Sequence, residues 1–410
     1  MSKFSIFITT FFLFWILFLP TYEFIPDYTI NGWVKNSMVL FMVLYFRNDI
    51  VPSFKGEYKG LFWALAGYGL ISVLSVFINA DTISQYPAYI WSDGKQIEME
   101  SNATVKNAFY NFIYLLTFAL FMRKLSMEHK IVQFIKILFY LMLGLTIWVD
   151  IDAFSRAVID DEDIFGYVVE NKFIVCYTNL FLCVLFHLQH PSLSRIIEKI
   201  IFIGILVVMI TVSIHVHCTT MVVGSLIYGY FAFTFSNRPI KLFATPKFFI
   251  WTIVIADLFF LFFTTFLLQF PVVADFVVDV LHEDSTLTGR VLIFENIIEA
   301  FEDHLPFGYG FGNSQLICRF FGGATNPQNG LMEIFINVGI LGCIAYLTCL
   351  YHCLKSVGFD VNKYPLVIFI LTMIIISTIE VPFNQSFLFF SFILLAYPQS
   401  EDKTISKYEE

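Results

Sequence analysis

The chain has 410 residues, 58% of them hydrophobic and 14% charged, with a net charge of −9 and a mean hydropathy of +0.75. Soluble domains carry roughly a quarter charged residues, and no soluble core needs 51 Phe and 19% aromatic residues. The balance excludes an ordinary soluble enzyme and points to a chain that faces lipid over much of its surface, where each crossing takes about 20 apolar residues.

The first apolar stretch, Phe4 to Leu19, follows Lys3 directly, and Pro20, Thr21 and Tyr22 come after it in place of a small-residue cleavage site. It reads as a retained first span. Further apolar runs cover 32–46, 60–79, 108–122, 131–149, 171–187, 199–213, 219–235, 248–269, 331–352, 364–380 and 384–398. With 4–20 they predict an all-α integral membrane bundle of about twelve transmembrane helices, a single polytopic domain over 1–410.

Charge supports this map. With the N-terminus cytoplasmic, seventeen of the 24 lysines and arginines fall on the inside, as the positive-inside rule requires. The outside keeps Lys35, Lys95, Lys106, Arg156, Lys172, Arg290 and Arg319. Three outside segments are long, at about 80–107, 150–170 and 270–330, so chemistry is expected at the outer face. The seven cysteines lie mostly in apolar runs and form no CxxC pair or Cys/His metal spacing. No GxxxxGK[ST] run is present, which argues against ATP-driven work. No metal or cofactor is implied, and no nucleic-acid partner is expected.

The loop before the tenth span carries the most information. A helix is expected from about Thr288 to His304, with Arg290 on its apolar face beside Ile293, Phe294 and Ile297. A cation at a helix N-terminus opposes the dipole, and a bound phosphate would resolve that conflict; a lipid headgroup or Asp284 would serve equally. Gly308, Gly310 and Gly312 alternate in the following LPFGYGFGN, which permits tight turns and close backbone approach. Gln328 and Asn329 precede the tenth span, as sugar contacts or as caps of the helix that follows.

Elsewhere, His215 and His217 lie at the mouth of the seventh and eighth spans, where they can bind phosphate or accept a sugar hydroxyl proton, or sit at the interface with no catalytic role, the commoner case. Arg156 is a phosphate or glycan contact, or a partner of its acidic neighbours. Arg319 lies between aromatic stretches and suits either stacking on a sugar or a place at the lipid headgroups. Asp257 sits inside an apolar run, where a carboxylate is a functional candidate by default or else a neutral group hydrogen-bonded between helices. Glu295 and Glu299 read as the solvated face of the loop helix, and His304 as its end.

The ordered set Thr288-Gly289-Arg290, a helix, Pro306 to Gly312, Gln328-Asn329 and an apolar span with Gly339 to Gly342 resembles the O-antigen ligase/polymerase superfamily, over about 60 residues. The resemblance implies a glycosyltransferase of a bacterial inner membrane with its site facing the periplasm. An undecaprenyl-diphosphate-linked oligosaccharide would be donor and acceptor, and a chain-length regulator a partner. In such proteins arginines hold the diphosphate, which falls to Arg290 here. Gln328 stands where the ligases carry a histidine, and Gln cannot act as a base. Nor does the region His215 to Thr220 hold the Ser-Arg pair seen in the superfamily. The departures favour a polymerase over a ligase that transfers glycan to lipid A-core. The reading assigns catalysis to Arg290 and His217, and substrate contact to Arg156, His215, Gly310, Arg319, Gln328 and Asn329. A lipid-glycan transporter or flippase is the alternative of another class.

Overall fold

The computed structural model describes residues 1–92, 95–156, 167–169, 171–235, 240–267, 270, 290–301, 304–358 and 360–397. The elements are α1 (Lys3–Leu17), α2 (Thr21–Phe24), α3 (Tyr28–Ser53), α4 (Lys59–Asn79), α5 (Val105–Met127), α6 (Ile131–Ser155), α7 (Lys172–Gln189) and α8 (Ile196–His215). They continue with α9 (Thr219–Phe235), α10 (Pro246–Leu267), α11 (Arg290–Ile297), α12 (Ser314–Gly322), α13 (Gly330–Lys355), α14 (Tyr364–Ser377) and α15 (Gln385–Ala396).

Each of the twelve apolar runs coincides with one of these helices. Among the described residues, seven helices are long and apolar enough to cross a membrane: α4, α5, α6, α7, α8, α13 and the Pro246–Thr264 part of α10. The chain is therefore a helical protein built for a membrane. The remaining apolar helices are shorter, as in Lys3–Leu17 and Gln385–Ala396. The 26-residue α3 is diluted by polar groups, Asn31, Lys35 and Asn36 among them.

The sheetless expectation needs one amendment. Two short antiparallel strands, β1 (Tyr89–Ser92) and β2 (Lys95–Glu98), pair in the register Ile90↔Ile97 and Trp91↔Gln96. Tyr, Ile and Trp favour extended backbone, and the polar context hides this from a search for apolar runs.

Short polar side chains fix where helices begin. Asp27, Thr104, Asn329 and Asn384 each accept a hydrogen bond from the backbone N–H three residues on, opening α3, α5, α13 and α15. Asn171 does the same for α7, accepting from Phe173 and Ile174. Burial then sorts the bundle. Nearly every residue of α14 and α15 is buried, which suits helices that are apolar all round. Helix α8 instead buries a single stripe, Phe202, Leu206, Met209, Val212 and Ser213, so its other faces are left for lipid.

Segments that charge alternation assigns to one end do meet there. Asp49 pairs with Arg123 and Lys124 at 4.0 and 3.4 Å. The Tyr58 hydroxyl donates to the Leu395 carbonyl, and the Ser356 hydroxyl to that of Leu394. The opposite end, called the loop end below, gathers residues 80–104 and 304–329. There the Tyr86 ring packs against His304, Tyr309, Phe320 and Phe321, with centroids 5.1 to 6.0 Å away.

Candidate functional site

The glycine segment is the keystone of the loop end. Gly308, Gly310 and Gly312 all have positive φ, at 64°, 102° and 105°, a region that L side chains rarely enter. The close approach the alternation implies is real, but its partner is the protein's own backbone. Helix α13 is broken at Gly339, whose φ of 66° and ψ of −169° lie outside the helical region. A break frees backbone groups that must be satisfied again. The loop supplies the partners: Tyr309 N–H donates to the Ile336 carbonyl at 2.7 Å, and Ile340 N–H donates to the Leu305 carbonyl at 2.9 Å.

Side chains from three directions hold the loop. The Asn79 amide donates to the Gly308 carbonyl, and the Phe311 N–H to the Ser75 hydroxyl, both on α4. Gly312 N–H donates to Asn337 Oδ1 on α13 at 2.8 Å. From the 101–104 segment, the Ser101 hydroxyl and the Ala103 N–H donate to Asn313 Oδ1. The phenyl ring of Phe311 is thereby set at a junction, because it lines two cavities of about 410 Å³ each.

One cavity opens between α3 and α5. Its walls are polar aromatics and amides with two lysines, Lys35 and Lys106. The other lies between the glycine loop and α13, lined by Ser314, Asn326, Glu333 and Asn337 among others. Here Glu333 is held in place. The Ser314 hydroxyl donates to Oε2, and Asn337 Nδ2 donates to Oε1 at 2.9 Å. Both are neutral donors, and the described lining of the cavity contains no cation. A partly buried carboxylate with neutral partners beside open space has the setting of a proton acceptor.

The residues assigned to the site from the sequence are distributed differently: Gly312 of the glycine alternation lines the second cavity, whereas Arg156, His215, His217, Gly310, Arg319, Gln328 and Asn329 are not in the described lining of either. Arg290 opens α11, but its side chain lies outside the described residues, as do Thr288 and Gly289. The expected helix Thr288 to His304 is α11 plus a 3₁₀ turn, Ile298–Phe301. Its Phe294 and Ile297 are buried, which agrees with the apolar face expected for it. Gly310 is built into the interlocked loop, where a Cβ would lie 3.3 Å from Ala103 Cβ.

Asn329 takes the capping option, accepting from Met332 N–H, while its amide donates to the carbonyls of Asp257 and Thr378. Gln328 has φ of 51° beside it. Arg319 donates to the Gly323 carbonyl at the end of α12. His215 and Arg156 belong to a separate group around the end of α6. His215 Nε2 lies 3.1 Å from the Ala153 carbonyl oxygen, and Arg156 pairs with Asp152 at 2.7 Å. His217 is exposed in the α8–α9 turn with φ of 53°.

Asp257 is 1% exposed and accepts from the Ser377 hydroxyl at 2.8 Å and the Leu331 N–H at 3.0 Å. It thus ties α10 to α14 and satisfies one of the orphan N–H groups at the start of α13. Glu333 was reachable by the reasoning that singles out Asp257, because it is the only acid in the apolar run 331–352. Neither a protein-family model nor a curated protein sequence matches the chain.

Proposed function

We propose that the protein is a membrane glycosyltransferase that joins lipid-diphosphate-linked oligosaccharide units, as the resemblance to O-antigen polymerases implies. The observation that carries the reading is the junction at Phe311, where a cavity of aromatics, amides and lysines adjoins one holding Glu333. Joining two glycans needs two adjoining sites and a base between them. Glu333 takes the proton of the acceptor hydroxyl as its oxygen bonds to the anomeric carbon of the donor. The bond from that carbon to the diphosphate breaks, and undecaprenyl diphosphate leaves. Arg290 offsets the charge on the departing diphosphate, an electrostatic role that commonly contributes most to such transfers. The diphosphate is a good leaving group, so positioning supplies much of the remainder.

Transport is favoured by one observation, the break in α13 at Gly339, since broken helices often form transporter sites. Here the freed groups are met by Leu305 and Tyr309 of the same chain, which leaves less reason for an ion to fill the break.

The test is the O-antigen ladder on a gel from cells deleted for this gene, complemented with wild type or Arg290→Ala at matched membrane levels. A polymerase gives a ladder with wild type and core plus a single unit with the variant. Loss of every glycan from core on deletion, the single unit included, would instead favour a ligase or a transporter.

A further inference from the structure

The cavity between α3 and α5 is one of the two adjoining sites above, and its lining goes further than that reading, to the class of ligand it takes. Its residues come from helical faces. Asn31 and Lys35 stand four apart on α3, and Lys106, Tyr110 and Tyr114 four apart on α5. The Tyr110 and Tyr114 rings lie in near-parallel sequence along the wall, 30° apart in plane. Part of the polar lining is already fixed: the Tyr114 hydroxyl donates to Asn36 Oδ1 at 2.9 Å, and the Gln385 amide donates to Asn111 Oδ1 at 2.8 Å.

Asn31 is different. It is 1% exposed, and neither its amide nitrogen nor its amide oxygen has a hydrogen-bond partner among the described residues. Burying an unmet donor and an unmet acceptor together is costly, and buried polar groups in native proteins almost always have partners. An amide so placed in a cavity wall is matched by a ligand group that both donates and accepts, as a sugar hydroxyl pair does. Aromatic faces beside amides suit the same ligand. Charge narrows the class. Among the described residues its lining has two lysines and no acid, although the chain as a whole is at −9.

We propose that this cavity is a binding subsite for an acidic saccharide, a sugar residue carrying a carboxylate or phosphate, with Asn31 reading hydroxyls and Lys35 and Lys106 reading the anion. The assignment rests on the glycosyltransferase reading only for where that saccharide comes from. An anionic lipid headgroup rich in hydroxyls, such as phosphatidylglycerol, shares the chemistry, and the test separates the two sources.

Full-length protein in nanodiscs of phosphatidylcholine is titrated with a uronic-acid tetrasaccharide and, separately, with neutral chitotetraose, with heat of binding as readout. The acidic saccharide should bind about tenfold tighter, the scale expected of two partly solvated ion contacts. Lys106→Gln should erase most of that preference, and Asn31→Leu should weaken both sugars. Gly32 lines the cavity, and a Cβ there would meet nothing within 4 Å. Gly32→Leu therefore fills the space on a helix that accepts it, and should abolish binding while the protein stays folded.

Equal affinity for the two sugars, no saturable binding at millimolar concentration, or binding untouched by Gly32→Leu would each overturn the proposal. So would a site that takes phosphatidylglycerol when nanodiscs contain it and no saccharide in either lipid. Binding needs no catalysis, so the two readings fail separately. A ladder without saccharide binding sinks this subsite alone, and binding without a ladder sinks the polymerase alone.

Discussion

Gly308 and Gly339 meet backbone to backbone, so that a Cβ on Gly308 would lie 2.6 Å from the Gly339 nitrogen and one on Gly339 would lie 2.5 Å from the Gly308 nitrogen. Both have positive φ, 64° and 66°. Neither backbone can give way, because the surrounding hydrogen bonds run between the loop and the broken helix itself. Gly308→Ala and Gly339→Ala are each expected to cost at least about 1–3 kcal/mol from backbone strain, with the clash in addition. Gly144, on α6, is the control: a Cβ there meets nothing within 4 Å, so Gly144→Ala should be neutral or stabilising by about 1 kcal/mol. Thermal unfolding of the purified variants in one detergent checks the contrast. Equal melting temperatures for all three would show that the loop does not interlock with the helix.

The Tyr86 cluster makes a separable prediction about the loop end. Tyr86→Ala removes the ring that four aromatic side chains contact, and should cost about 3–5 kcal/mol where the ring is well packed. Tyr86→Phe removes only the hydroxyl, which lies 3.1 Å from His304 Nε2, and should cost about 1 kcal/mol. Limited proteolysis reads the difference locally. The alanine variant should be cut within 304–329 far faster than wild type, and the phenylalanine variant at nearly the wild-type rate.

Much of the bundle is legible in the sequence because the physics that writes it is local. Apolar runs mark lipid-facing or core helices, and Asn329 reads as a cap from its place before an apolar run. The glycine alternation likewise announces close backbone approach. What approaches it is Gly339, some thirty residues away, and nothing local encodes that pairing. The α3–α5 cavity escapes for a related reason. The apolar runs begin at 32 and 108, whereas the helices begin at Tyr28 and Val105. The extra turn carries Asn31, Lys106 and Asn107, polar residues that read as loop until the helix is seen to continue through them. The β hairpin is missed because its strands are short and half polar. Glu333 is missed because a lone acid near the start of a span reads as an interfacial residue; only the Ser314 and Asn337 contacts give it a setting.

Asp257 separates structure from transport. Its carboxylate accepts one bond from Ser377 and one from Leu331. In Asp257→Asn the amide oxygen can still accept from the Leu331 N–H, while the amide nitrogen donates to the Ser377 hydroxyl oxygen. The variant should keep its fold and its ladder. Asp257→Leu leaves the Leu331 N–H without an acceptor, at about 1–3 kcal/mol for the buried group, and should lower the melting temperature. A folded Asp257→Asn protein with no ladder would mean that the charge or the proton of Asp257 is used, and the transport reading would gain.

Glu333→Gln puts the proposed chemistry under the most direct strain. Glutamine keeps the length of the side chain, and its carbonyl oxygen can accept from Asn337 as Oε1 does. Its amide nitrogen can donate to the Ser314 hydroxyl, which turns to accept. The fold should therefore survive, with a melting temperature close to that of wild type. A base that removes the acceptor proton is worth roughly 10²–10⁴ in rate, so the ladder should shorten to the single unit at matched membrane levels. Asp at the same position restores a carboxylate about one carbon too short, and partial recovery in Glu333→Asp would identify the charge as the active element. If Glu333→Gln instead builds full-length ladders, the carboxylate is structural, and the base must be sought elsewhere at the loop end.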